Sequence, residues 1–438
     1  MLLVLVSLAM LIPILSTTKI IALVIGLIIF VVSFASTEIA LYILIFSMLL
    51  SPEFIIGTTE GATLGRGVTL RLDDIILSII AFGWLARMSI NKELGLFLRT
   101  PLNKPIAYYI TICLVSTLFG VLFGRVQLLT GLLFVIKYFE YMIIYFMVLN
   151  FLESKTQVNN YTWAMLITCA VVSFIGISQI PLGGRVTAPF EGASGEPNTF
   201  GGYLVFMISV TFGLFLTSPS FRKQLIYSFL IILFSVPLFY TQSRSSYLAM
   251  IPALFTFIFL SQKRKWIIAA IVLIGISLPF VTPRIAKERI SYTFSQGRNR
   301  MDVVEIAGVK LDTSTSARII SWRQAARDWI EHPILGYGVT GYRFVDAQYI
   351  RIITETGFLG LITFVFLLAT LLKRTYSIFK SSNDPLEEGL SMGLLAGLIG
   401  ILFHSIGANT FIIVRIMEPF WFTTGMVIAI SELNKDVS

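Results

Sequence analysis

About fourteen apolar runs of twelve to twenty-four residues divide this chain, and no other feature constrains its fold as strongly. They cover residues 2–15, 20–34, 39–50, 74–88, 106–122, 128–151 and 162–180. They continue over 199–216, 225–240, 246–260, 267–281, 350–372, 390–404 and 411–431. A bilayer core needs roughly 20 mostly apolar residues per helix. Charged residues make up 13% of the 438, against roughly 25% in an average soluble chain. The hydrophobic share is 56%, and mean hydropathy is +0.85. A soluble fold could not hide that much apolar surface, because folded surface grows almost in step with mass. Lipid is therefore the solvent for most of the chain. The first three runs are short for independent spans. The expectation is an all-α polytopic membrane protein with twelve to fourteen transmembrane helices. No small-residue cleavage site follows the first run, which is expected to stay.

Lysine and arginine set the orientation. Counted over the short loops, thirteen fall on the even-numbered side and six on the odd side. The richer side is cytoplasmic by the positive-inside rule, which puts both termini inside. The one long loop, 282–348, is odd-numbered and so lies outside. Its alternating charges and helical stretches suggest a small domain resting on the membrane. The expected organisation is a transmembrane bundle over 1–281, this extracytoplasmic helical loop, and further transmembrane helices over 349–438. The net charge of +9 reflects cytoplasmic loops or an anionic lipid-linked substrate, and no nucleic-acid partner is expected. Cys113 and Cys169 sit inside apolar runs and form no disulfide framework. His332 and His404 lack metal-ligand spacing, so no metal site or cofactor is expected.

Three polar clusters stand at span ends on the outer side. The first runs from Arg185 through Glu196-Pro-Asn198 and is rich in Gly and Pro. Its backbone can bend sharply near a ligand, and the helix opening near Asn198 attracts anions. Asn198 serves equally well as a helix N-cap. The second is Tyr240-Thr-Gln-Ser-Arg244-Ser-Ser246. A guanidinium there suits bidentate phosphate recognition, or it snorkels to the interface. The third contains Arg318, Trp322 and Trp329, then His332-Pro-Ile-Leu-Gly336-Tyr-Gly338, then Asp346-Ala-Gln348-Tyr349 and Glu355-Thr-Gly357. Trp322 and Trp329, seven apart, share a helix face. Within the spans, Lys137 and Glu140 are three apart and are expected to pair. Arg415 and Glu418 repeat that spacing. His404 ends an apolar run and reads as packing.

Taken together, these clusters resemble the O-antigen polymerase and O-antigen ligase superfamily of bacterial envelope glycosyltransferases. The resemblance rests on Arg185…Glu196-Pro-Asn198, on Thr241-Gln-Ser-Arg244-Ser, and on the run from Arg318 through His332-Pro-Ile-Leu-Gly-Tyr-Gly338 to Glu355-Thr-Gly-Phe-Leu-Gly360. It implies a C-superfamily-type membrane enzyme of the bacterial inner membrane, with its site on the periplasmic face. The implied donor is an undecaprenyl-diphosphate-linked glycan. The implied partners are a glycan acceptor, membrane lipid and, for some members, a chain-length regulator. Arg244 and Arg318 match family arginines that hold the lipid diphosphate, and Arg185 is placed with them. The ligases carry a histidine shortly before the Glu-Thr-Gly span. Here that place reads Asp346-Ala-Gln348-Tyr349, which favours the polymerase branch.

The chemistry suits these residues. A lipid diphosphate leaving group needs cations, and fixed arginines supply them without a metal. A general base for the acceptor hydroxyl would be Asp346 first and Glu196 second. Asp346 would otherwise cap the helix beginning near Tyr349, and Arg343 stands close in sequence. Three functions compete: a polymerase joining lipid-linked repeat units, an O-antigen ligase acting on lipid A-core or another acceptor, and a transporter of polyisoprenoid-linked glycans. A transporter would show broken spans, polar midplane residues and two related halves. Here the polar groups gather on the outer face, beside one asymmetric loop. A cysteine placed in loop 282–348 should react with a membrane-impermeant reagent from outside only, and labelling from the cytoplasmic side would refute this orientation.

Overall fold

The computed structural model describes residues 17–52, 72–91, 100–190, 195–281, 287, 291, 305–306, 309–310 and 313–436. The expected span at 2–15 and much of loop 282–312 lie outside them. In hydrocarbon every backbone N–H and C=O needs an internal partner, so helices carry nearly all of the described chain. In order they are α1 (Thr17–Ala35), α2 (Thr37–Leu50), α3 (Leu72–Asn91), α4 (Asn103–Leu122) and α5 (Leu128–Phe151). Next come α6 (Lys155–Gln179), α7 (Pro197–Thr217), α8 (Phe221–Tyr240), α9 (Arg244–Leu260) and α10 (Arg264–Val281). A two-residue antiparallel pair, Glu305–Ile306 with Val309–Lys310, precedes α11 (Thr313–Trp329). The last three are α12 (Gln348–Ser381), α13 (Pro385–His404) and α14 (Val414–Asp436). Among the described residues, seven helices are long and apolar enough to cross a membrane, with three shorter apolar ones beside them.

α7 and α13 form the centre. Over the apolar window of α7, 89% is buried, and over that of α13, 72%. Gly389, Gly393 and Gly397 repeat every four residues and line one face of α13. A Cβ on Gly213 of α7 would fall 2.3 Å from the Gly389 carbonyl oxygen, so the two backbones touch. Lipid tails are as apolar as leucine, so such helix pairs associate by close packing, and small residues permit it. α9 packs on α13, α8 on α7, α14 on α5, and α4 on α12. α1, α2 and α3 pack on one another, and α2 rests on α6.

α12 is 34 residues long, about 51 Å at 1.5 Å per residue, more than a bilayer core. It breaks at Gly357, whose φ of 68° and ψ of −166° lie in a region open essentially to glycine. In an unbroken helix, Thr354 and Glu355 carbonyls would accept from Phe358 and Leu359. Instead the loop 333–338 takes all four groups. Tyr337 N–H donates to the Thr354 carbonyl (2.9 Å) and Gly338 N–H to that of Glu355 (2.8 Å). Phe358 and Leu359 N–H groups donate to the Pro333 and Ile334 carbonyls (2.8 and 3.2 Å). Ser116 of α4 adds a hydroxyl to the Leu335 and Glu355 carbonyls. The His-Pro-Ile-Leu-Gly-Tyr-Gly and Glu-Thr-Gly segments are therefore two halves of one backbone joint.

Lys137, expected to pair with Glu140, makes its close ion pair with Asp74 on α3, with Nζ at 3.0 Å. A tertiary partner on a neighbouring helix joins the local one that spacing along α5 suggests, and the Lys137 charge still acts on Glu140. Gly357→Ala should lower the melting temperature in detergent. Left-handed strain costs ~1–3 kcal/mol, and the new Cβ would stand 2.2 Å from the Ile334 carbonyl oxygen. Gly124→Ala is the control: φ there is +68° with nothing within 4 Å of the added carbon. If the Gly357 variant melts no lower than the Gly124 variant, the joint is not what holds the break.

Candidate active site

The turn between α8 and α9 is built by its hydroxyls. Gln242 takes φ of 52°, and Ser243 N-caps α9 by accepting from Ser246 N–H at 3.3 Å. Arg244 is therefore the first helical residue. A cation at that position opposes the helix dipole, which favours anions there. Arg185 packs on the same turn: its Nε donates to the Thr241 carbonyl (2.9 Å) and Nη2 to that of Gln242 (3.3 Å). Arg185 thus reaches the neighbourhood of Arg244, with its guanidinium spanning turn carbonyls.

The start of α7 approaches the same turn. Its N-cap is Glu196, so of the two roles open to Asn198 the capping one falls away. Pro197 follows at N1, where its missing N–H costs nothing. Asn198 instead accepts from the Ser243 hydroxyl at 2.8 Å. It ties α7 to α9 rather than capping its own helix.

Arg318 lies on α11. Its Nε and Nη2 both donate to Asp346 Oδ2, at 3.2 and 2.7 Å. Asp346 does not cap α12, whose N-cap is Ala347. Arg343 is 3.5 Å from Asp328 instead. Asp328 also receives the Tyr342 hydroxyl at 2.5 Å. Desolvation, with that bond to a carboxylate, pushes the Tyr342 phenol up to about 12. Tyr337 donates to Glu331 at 2.9 Å and is likewise pushed up to about 12, chiefly by desolvation and then by that bond. Both phenols remain donors at neutral pH and fasten the end of α11 to the 333–343 loop.

Residues 345–349 lie across the end of α13. Gln348 N–H donates to the Ser405 carbonyl (3.1 Å), and Gln348 Oε1 accepts from Phe411 N–H (3.0 Å). The Tyr349 hydroxyl donates to the Leu402 carbonyl at 2.6 Å. Asn409 Nδ2 donates to the Val345 carbonyl at 2.8 Å. Glu355 is buried and pairs at 3.0 Å with Arg351, four residues earlier. Gln348, Tyr349 and Glu355 therefore serve as anchors of this outer segment.

His404 was expected to pack. It is wholly buried, but its ring bonds to Thr410 Oγ1 (2.7 Å), Ser246 Oγ (3.2 Å) and Ser245 Oγ (3.3 Å). It is the residue the sequence reading missed as polar machinery. A histidine at the end of an apolar run, in a chain that also carries a Ser-Arg-Ser-Ser turn at the start of another, was the available signal. His404 holds the Arg244 turn while its neighbour Ser405 holds Gln348. The two arginine-bearing arms thus meet at one end of α13.

Residues 229–399 match the family model of the O-antigen ligase. The match supports the O-antigen polymerase and ligase superfamily. No curated protein matches the chain. The matched region runs from within α8 to near the end of α13. It includes Arg244, Arg318, Asp346, Gln348, Tyr349 and Glu355, and leaves Arg185, Glu196, Asn198 and His404 outside. It indicates a multi-pass membrane protein and a glycosyltransferase-like enzyme of the ligase or polymerase type, acting on a lipid-linked glycan donor and an acceptor.

The Arg318–Asp346 pair is about one-third exposed, and such pairs contribute about 0–1 kcal/mol. Asp346→Ala should therefore leave the melting temperature nearly unchanged. A large drop would make the pair a structural strut rather than part of a working site.

Proposed function

We propose that this protein polymerises undecaprenyl-diphosphate-linked repeat units at the extracytoplasmic face of the bacterial inner membrane. The observation that carries the reading is a groove beneath Arg244. Leu248, Ile251, Pro252, Phe255, Thr256 and Phe259 follow Arg244 along one face of α9, and Phe403 of α13 closes the side. The groove is an open depression of about 380 Å³ and is almost entirely apolar. A cation above an apolar groove on an apolar helix matches a lipid diphosphate: phosphates at the guanidinium, isoprenoid chain below. The anion satisfies both Arg244 and the amide groups of the first turn of α9. It also accounts for a cation that the helix dipole alone would disfavour.

In the reaction, the acceptor sugar hydroxyl attacks the anomeric carbon of the donor. The bond from that carbon to the diphosphate oxygen breaks, and the diphosphate keeps the electron pair. Arg244 and Arg318 stabilise the charge that develops on it, with no metal required. Arg185 supports the turn that presents Arg244. Asp346 takes the hydroxyl proton. Its contacts with Arg318 are both through Oδ2, which leaves Oδ1 to face the acceptor. A diphosphate drawing Arg318 towards itself would weaken the ion pair and leave the carboxylate open to the acceptor hydroxyl. Glu196, at the mouth of α7, is the second candidate base.

Ligation to lipid A-core or another acceptor is the second reading, favoured by the description of the matching family. One product assay separates the two. With the lipid-linked repeat unit as the only substrate, a polymerase gives a ladder. A ligase gives nothing until a second acceptor is added. Arg244→Ala should lower the rate on the order of 10² or more, and Arg244→Lys should recover only part of it, since lysine lacks the planar fork. Near-normal synthesis by Arg244→Ala or Arg318→Ala at normal protein level would remove the diphosphate assignment. Asp346→Asn should abolish synthesis while donor binding persists; continued synthesis would move the base to Glu196.

A further inference from the structure

We infer that His404 is the positioning residue that sets Arg244 for the donor diphosphate, acting through Ser245 and Ser246. This rests on the diphosphate reading of Arg244. His404 closes α13, and its imidazole is wholly buried. Each ring nitrogen meets a different element. Nδ1 faces Thr410 in the turn before α14, and Nε2 faces the first turn of α9.

The hydroxyl directions are all met with the ring proton on Nε2. Asn198 Oδ1 only accepts, so the Ser243 proton goes to it. Ser243 Oγ then accepts from Ser246 Oγ at 2.8 Å. With its proton spent there, Ser246 can only accept from His404. With Nε2 as the donor, Nδ1 is left to accept from the Thr410 hydroxyl. A single directed chain runs Thr410, His404, Ser246, Ser243, Asn198. It joins the turn before α14, the end of α13, the start of α9 and the start of α7. Arg244 lies between two members of the chain, Ser243 and Ser246, and beside a third contact of the ring, Ser245.

Packing alone would not ask for histidine. The ring sits against the α7 backbone, where a Cβ on Gly202 would come within 3.0 Å of His404 Cε1. A leucine could fill that space, but it would leave the Ser246 and Thr410 hydroxyls without their ring partner in a buried place. The first turn of α9 could then rotate, and the guanidinium one residue away would lose its fixed aim. Preorganised charge depends on such supports.

The test is a double-mutant cycle on the full-length protein in detergent or nanodiscs, with the lipid-linked repeat unit as donor. Arg244→Ala is made first. If it keeps full synthesis, the diphosphate reading fails and the inference about His404 falls with it. With that loss established, His404→Leu should lower kcat at least tenfold in the wild-type background and less than twofold in the Arg244→Ala background. Removing a support for Arg244 matters only when Arg244 is present. His404→Gln should recover activity, because its amide Nε2–H can still donate to Ser246. An equal loss in both backgrounds, or a wild-type loss below twofold, overturns the inference. If His404→Leu does not fold, Ser246→Ala removes the acceptor of the same bond and is read by the same two criteria.

Discussion

At the centre of this bundle two helices touch backbone to backbone, and the segments gathered at the end of α13 depend on that contact. The glycine face of α13 lets α7 approach until only main chain separates them. Lipid supplies no hydrophobic force to press helices together, so this closeness is what makes the pair stable. It also fixes where α13 ends. His404 and Ser405 sit at that end, and each reaches sideways to a different part of the outer face. A bulkier residue at Gly213 or Gly393 would displace both contacts at once.

The two arginine-bearing arms come from opposite sides of that end. One is a tight interhelical turn whose hydroxyls brace it locally and also tie it to Asn198 of α7 and His404 of α13. The other is a short extended segment held by Gln348 and Asn409 side chains. Neither arm is an independent unit. At the far end of the bundle, different pairs close the structure: Lys155 with Asp384 at 3.3 Å and Arg374 with Glu432 at 2.5 Å. Asp384 caps α13. Burial acts to raise its pKa, but the Glu387 and Leu386 amides and Lys155 outweigh it and hold the carboxyl below its usual range.

The spans were legible because hydropathy is a property of the chain alone. The expected 128–151 coincides with α5, and the expected 199–216, 225–240 and 390–404 fall inside α7, α8 and α13. What the sequence could not show is which residues meet across helices. Spacing offered Lys137 a partner three residues away, yet the structure gives it Asp74, 63 positions distant. Asn198 looked like a cap because caps are local. Its partner Ser243 is 45 residues on. The motif residues Arg318 and Asp346 were both visible, but their pairing depends on how α11 folds back over the start of α12. Gly357 was visible as a letter of a motif and invisible as a break, since one glycine inside an apolar run carries no sign of its φ.

That break has a consequence for how the protein is made. A ribosome delivers residues 333–338 before 354–359, but the later segment enters the bilayer as part of a long apolar helix. Until the loop docks, four main-chain groups of the joint lack their native partners near the membrane boundary. Each costs several kcal/mol in hydrocarbon. A nascent α12 can avoid this by staying unbroken, with Thr354 and Glu355 bonded to Phe358 and Leu359. Docking the loop then exchanges those helical bonds for the crossed set. The mature joint is thus reached from a continuous helix by a swap of hydrogen bonds, with loop 333–338 supplying every new partner.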